Sequence, residues 1–193
     1  MGSDDRPVPV TFASALQWER WLAEHHADAP EAWLKIAKAG VEIESVRYPE
    51  VLESALCFGW IDARRRAHDE LYFLQRFTPR RARSRWSQIN RETAERLIAE
   101  GRMRPAGMAE VQRAKADGRW QEAYVGQKRS TVPADLQREL ESRPRAAEFF
   151  AGLSSQNRYA ITYRLGEAKR PETRARRLAK FLAMLEAGET IHP

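Results

Sequence analysis

Eight arginines lie between Arg64 and Arg85, against two acids, Asp69 and Glu70. That window carries +6, and the whole 193-residue chain also sums to +6 at pH 7, so the remainder is neutral on balance. A guanidinium is planar, stays charged and presents five N–H donors in a fork that fits phosphate or carboxylate oxygens. Tyr72, Phe73 and Phe77 sit inside the run, and Trp60 and Trp86 lie just outside it. Rings of this kind stack on bases and on guanidinium planes. The candidate ligand-binding residues are therefore Arg64, Arg66, Arg76, Arg80, Arg81, Arg83 and Arg85, with Tyr72, Trp60, Trp86 and Asp62. The matching ligand is anionic: nucleic acid, a phosphate or an acidic protein. A second reading stands beside this one, because arginines on an edge strand also keep it solvated and block edge-to-edge pairing.

Other chemistry is thinly represented. Cys57 is the single cysteine, which forbids an intrachain disulfide, and His25, His26, His68 and His192 show no metal-ligand spacing. The chain has no Gly-rich phosphate loop and no nucleophile elbow. No catalytic set, metal site or cofactor is expected. An enzyme acting on a small anionic substrate is a separate reading, with Tyr48, Glu50 or Asp62 as acid–base groups and arginines as anchors. Glu50 has a simpler role too, since a carboxylate suits the first turn of a helix. Lys169, Arg170, Arg174, Arg176, Arg177 and Lys180 form a second basic set, which reads either as more anion-binding surface or as the wet side of an amphipathic helix.

The elements that must position these residues can be read from local signals. Ser14 with Gln17 has the pattern of a capping box, and Leu16, Trp18, Trp21 and Leu22 follow helical spacing over about 14–25. Trp33 to Ile36 reads as a strand between Pro30 and Gly40. Pro49 opens a helix with Val51, Leu52, Ala55 and Leu56 on one face, and Gly59 ends it. Residues 60–67 and 71–78 read as a β-hairpin turning near His68 and Asp69, with Pro79 stopping the second strand. Strict alternation then puts Leu71, Phe73 and Phe77 on one side, and Tyr72, Leu74 and Arg76 on the other. The same alternation groups Asp62, Arg64 and Arg66 on one face.

Ser87 caps a helix to about Glu100, with Ile89, Leu97 and Ile98 expected inward. Pro105 opens another, edged by Met108, Val111 and Ala114. Trp18, Trp21 and Trp33 are expected in the core, and the Trp120 segment has the alternative of presenting an exposed aromatic. Pro133, Pro144 and Pro171 each start a later helix, and Leu178, Phe181, Leu182 and Leu185 form an i, i+3, i+4, i+7 stripe on the last.

The expected fold class is α+β: N-terminal helices with a small antiparallel sheet, then a mostly helical C-terminal part. The expected organisation is a flexible leader over 1–11, an α+β domain over 12–124, a linker over 125–133 and a helical subdomain over 134–193. Hydrophobic residues at 42% and charged residues at 31% fit a soluble globular protein. No basic-then-apolar leader is visible and no apolar run approaches the roughly 18 residues of a membrane span, so the expected location is the cytoplasm. Oligomeric state is left open.

Several strings make the chain resemble the YdeI/OmpD-associated, or bacteriocin-protection, family. They are Tyr48-Pro49-Glu50 leading to Ala55–Asp62; Phe77-Thr78-Pro79-Arg80-Arg81 with Ser84-Arg85-Trp86-Ser87; and Gly101-Arg102-Met103 with Pro105-Ala106-Gly107. Asp117-Gly118-Arg119-Trp120 and Ala168-Lys169-Arg170-Pro171-Glu172-Thr173-Arg174 extend the likeness over most of the chain after residue 12. Ala63 stands where the family pattern has glycine, and Arg104 where it has threonine. The resemblance implies a non-enzymatic binding or protection role and carries no catalytic residues with it.

Overall fold

Ser14 caps the first helix, α1 (Ala15–His25): its Oγ accepts the Gln17 N–H at 3.4 Å, and Gln17 Oε1 reaches back to the Ala13 N–H at 2.9 Å. The capping box is thus present, displaced by one residue. The computed structural model describes residues 8–193, and the chain divides into two units, 1–124 and 125–193. Residues 1–7 of the expected leader lie outside the described residues. Val10 is tied to a strand, donating to the Trp33 carbonyl at 2.8 Å and accepting from Lys35 at 3.0 Å.

The chain is α+β. In the first unit α1 is followed by β1 (Ala32–Ala37), α2 (Tyr48–Cys57), β2 (Trp60–Ala67), β3 (Tyr72–Pro79), α3 (Gln88–Ala99) and α4 (Pro105–Ala116). The strands form one antiparallel sheet in the order β1-β3-β2, so the arginine-bearing β2 is an edge. Trp18 and Leu22 of α1, Val51 and Ala55 of α2, and Phe73 and Phe77 of β3 share one core with Trp60 of β2. Two indoles tie elements together there: Trp18 Nε1 donates to the Val51 carbonyl and Trp60 Nε1 to the His26 carbonyl, each at 3.0 Å. Ile89, expected inward, faces solvent, as does Leu16 of α1; Ala94 and Leu97 take the inward places on α3. Trp120 is buried against Trp86, with ring centroids 4.8 Å apart, and is not an exposed aromatic.

One irregularity redraws the sheet. Asp62 pairs with Phe77 and Arg65 with Gln75, so three steps along β2 match two along β3. This bulge reverses the alternation after Asp62. Asp62 shares the core-side face with Arg65, and Arg66, opposite Leu74, lies on the other face. The grouping of Asp62, Arg64 and Arg66 on one face is therefore corrected. Ala63 fits here without strain, since none of the described residues other than glycine has a positive φ.

The second unit is helical: a 3-10 turn at Gln127–Arg129, then α5 (Ala134–Glu141), α6 (Pro144–Gly152), α7 (Ser155–Gly166) and α8 (Pro171–Glu186). Leu136, Phe150, Ile161, Leu165, Phe181 and Leu185 form its own core. Within this unit the 125–133 stretch is bonded to α7, through Tyr159 to the Val125 carbonyl at 3.0 Å and Ser130 to Thr162 at 2.9 Å. No helix among the described residues is long and apolar enough to cross a membrane.

Gly107 lets α4 cross the end of α2 at backbone distance. A Cβ there would stand 2.2 Å from the Cys57 carbonyl oxygen and 2.6 Å from that of Leu56. Neither oxygen belongs to a flexible side chain, so Gly107→Ala should lower stability by about 3 kcal/mol in urea unfolding. A loss below about 1 kcal/mol would mean that α4 moves away from α2 freely.

Candidate anion-binding site

Arg80 is the arginine that the fold singles out. Pro79 closes β3, and the Arg80 N–H donates to the Gly59 carbonyl at 2.9 Å, which turns the chain past the start of β2. Arg80 is only 6% exposed. Its guanidinium lies 3.6 Å over the Trp86 ring, and Nη1 donates to the Arg85 carbonyl at 3.2 Å. Nε and Nη2 are buried with no hydrogen-bond partner. The Nε1 of Trp86 and the Oε2 of Glu110, on α4, are in the same condition. Burial pushes the Arg80 guanidinium down to about 10, opposed first by the Glu110 carboxylate and then by that of Asp62.

Around this group stands a polar cluster. Tyr48, in the first turn of α2, donates its O–H to Asp62 Oδ2 at 2.8 Å. Burial raises the Tyr48 hydroxyl above its ordinary value, the Asp62 carboxylate adds to this, and Arg65 opposes it. The Arg65 guanidinium lies 3.7 Å over the Phe73 ring, on the face to which the bulge brings it. Arg85 lies 5.3 Å over the ring of Tyr124. Arg119 closes the connection from the far side, with Nη1 on the Ser84 carbonyl at 2.6 Å and Nε on Asp117 at 2.8 Å.

The remaining candidates are spread apart. Arg76 is held by Glu31, its Nε 2.7 Å from Oε2. Arg66 covers Trp33 at 4.8 Å, and Lys35 covers Tyr72 at 4.2 Å, both on the outer face of the sheet. Trp60 is a core residue, and Arg64, Arg81, Arg83 and Arg85 are exposed. Of the three acid–base candidates, Tyr48 and Asp62 come together, whereas Glu50 accepts the Arg47 N–H at 3.3 Å as a helix cap. Cys57 is buried, and burial pushes its thiol up to about 11, which leaves it inert as a nucleophile at neutral pH. No group of three or more His, Cys, Asp or Glu among the described residues is placed to hold a metal ion. In the second unit Arg174 grips Asp135 through two bonds of 2.6 and 2.7 Å, and Arg177 donates to the Arg164 carbonyl.

Sequence reading missed Arg65, Glu110 and Tyr124. Arg65 is visible in the basic run, but strict alternation puts it on the face opposite Asp62, and only the bulge brings the two to one side. Glu110 and Tyr124 have no local signal, because only the packing of α4 and of the 120–124 stretch brings them near Arg80.

Residues 10–110 match the family described as a domain of unknown function (DUF8412), and residues 129–188 match the family described as Bacteriocin-protection, YdeI or OmpD-Associated. The second match bears out the resemblance read from the sequence. It falls on the helical unit, whereas the Tyr48–Asp62 and Phe77–Ser87 strings fall in the stretch matched by the first family. No curated protein and no solved structure matches the chain.

The Tyr48–Asp62 bond gives a pH signature. A phenol raised in the folded state above its unfolded value of 10.0 stabilises fully below that value and loses the contribution as pH climbs past it, because the unfolded chain ionises first. Wild type should exceed Tyr48→Phe in stability by about 1–2 kcal/mol at neutral pH. In chemical unfolding the difference should shrink above the unfolded value, and a difference that grows there would overturn the assignment.

Proposed function

The chain belongs to the DUF8412 family, and on that premise we propose that its N-terminal unit is a non-enzymatic binding module that recognises an anionic group at Arg80. The observation that carries this is an arginine only 6% exposed, two of whose guanidinium nitrogens are unmet. Buried polar groups in folded proteins are paired with protein, water or ligand, and an arginine fork left with Nε and Nη2 together offers two parallel donors to a carboxylate or phosphate. The Trp86 ring beneath fixes the plane of the fork. Arg81, Arg83 and Arg85 are exposed beside it and add long-range attraction for an anion. The family matched over residues 129–188 supplies the physiological frame, a protection-type protein. A nucleic-acid ligand has less support. Tracking a phosphate backbone needs a continuous row of free cations, yet Arg76 is ion-paired and Arg66 lies on the opposite face from Arg65.

The test is a titration of the full chain with inorganic phosphate and acetate at low salt, followed through the Trp86 indole N–H resonance. Both anions should shift it, and Arg80→Lys should weaken binding about tenfold or more, because an ammonium keeps the charge but lacks the fork. Replacing exposed Arg81 and Arg83 by Ala should change chiefly the salt dependence. An unmoved Trp86 resonance at saturating phosphate, or equal affinity in Arg80→Lys, would defeat the proposal.

A further inference from the structure

The unmet acceptor beside Arg80 narrows the ligand. The Glu110 side chain is 13% exposed, and its Oε1 pairs with Arg113 at 2.8 Å, while Oε2 is buried without a partner. Its Cγ packs on Gly59, 3.1 Å from where a Cβ would stand, and the carbonyl of the same Gly59 accepts the Arg80 N–H at 2.9 Å. Both residues meet at Gly59, and Glu110 is the carboxylate that acts most strongly on the Arg80 guanidinium, yet Arg80 Nε and Nη2 and Glu110 Oε2 are each left without a hydrogen bond.

A group that completes this set must accept on the Arg80 side and donate on the Glu110 side. A bare anion meets only the first demand and faces Glu110 as a like charge. A carboxylate with an O–H or N–H on the next atom meets both, and Trp86, whose ring lies under the Arg80 guanidinium, has an unmet Nε1 donor of its own. Resting on the reading of Arg80 as the anion site, we infer that the ligand is a small carboxylate with a hydrogen-bond donor on the adjacent carbon, of the 2-hydroxy-acid or 2-amino-acid kind. Its carboxylate lies on Arg80 and its donor on Glu110 Oε2. Sites built to hydrogen-bond a substrate donor discriminate strongly against the analogue that lacks it, because the protein acceptor is then left unpaired.

The experiment compares acetate, glycolate, glycine and inorganic phosphate on the full chain, read at the Trp86 indole and Arg80 Nε–H resonances. Glycolate or glycine should bind about tenfold or more tightly than acetate. A preference for glycolate identifies the hydroxy-acid source, and one for glycine the amino-acid source. Glu110→Gln should remove the preference for glycine and strengthen acetate and phosphate, since the opposing charge is gone. If acetate binds in an Arg80-dependent way as tightly as glycolate and glycine, this inference fails while the anion site stands. If none of the probes binds, both fail, and Arg80 and Glu110 are a structural pair only. Because the wild-type series decides the donor preference by itself, the result does not depend on the folding of any variant.

Discussion

Taking a guanidinium out of water costs on the order of several kcal/mol unless its charge and its N–H groups are met. Arg80 meets that cost in part, through the Trp86 ring 3.6 Å below it, the Arg85 carbonyl, and the field of Glu110 and Asp62. The whole connection from β3 to α3 depends on this arrangement. Arg80 reaches forward to the carbonyl of Arg85, and Arg119 reaches across to that of Ser84, so two arginines fold the loop around their own donors. Trp86 is thereby pressed on Trp120, and Ser87 is set to cap α3 while pairing with Tyr124.

A single extra residue in β2 decides the electrostatics of the neighbouring strand. Without the bulge, Asp62 would share a face with Arg64 and Arg66, as simple alternation requires. With it, Asp62 lies opposite Phe77 and within reach of Tyr48, and Arg65 turns to the same side. Arg66 is left on the outer face, over Trp33. The basic run thus divides into solvated edge arginines, an ion-paired Arg76 and a buried Arg80. Members of one sequence cluster take three different environments: solvent, an ion pair and the protein interior.

The two family matches fall one in each unit, residues 10–110 in the first and 129–188 in the second. Each unit has its own hydrophobic core. In the helical unit the basic residues answer mostly to structure. Arg174 holds the Asp135 carboxyl below its usual range through paired hydrogen bonds, and joins α8 to the start of α5. Arg176 and Lys180 of the same helix are exposed, whereas Arg174 is tied to its neighbour.

What the sequence determined by itself was local. Ser14 and Ser87 mark helix starts because a hydroxyl meets an orphan N–H one turn away, and Pro49, Pro105, Pro144 and Pro171 do so because proline loses nothing there. The β-prone run at 71–78 marks β3, and its alternation sets Phe73 and Phe77 on one face, which the tertiary structure turns toward the core. The start of α7 at Ser154, with no proline to announce it, was not read. Tertiary structure alone decided which arginine is buried, since that depends on Trp86, on Glu110 and on the backbone of Gly59 arriving at one place. It also decided the face that Asp62 takes, because a bulge belongs to a pair of strands and not to either one. Capping and periodicity act within a turn of chain, whereas the burial of a charge is settled by residues far apart in sequence.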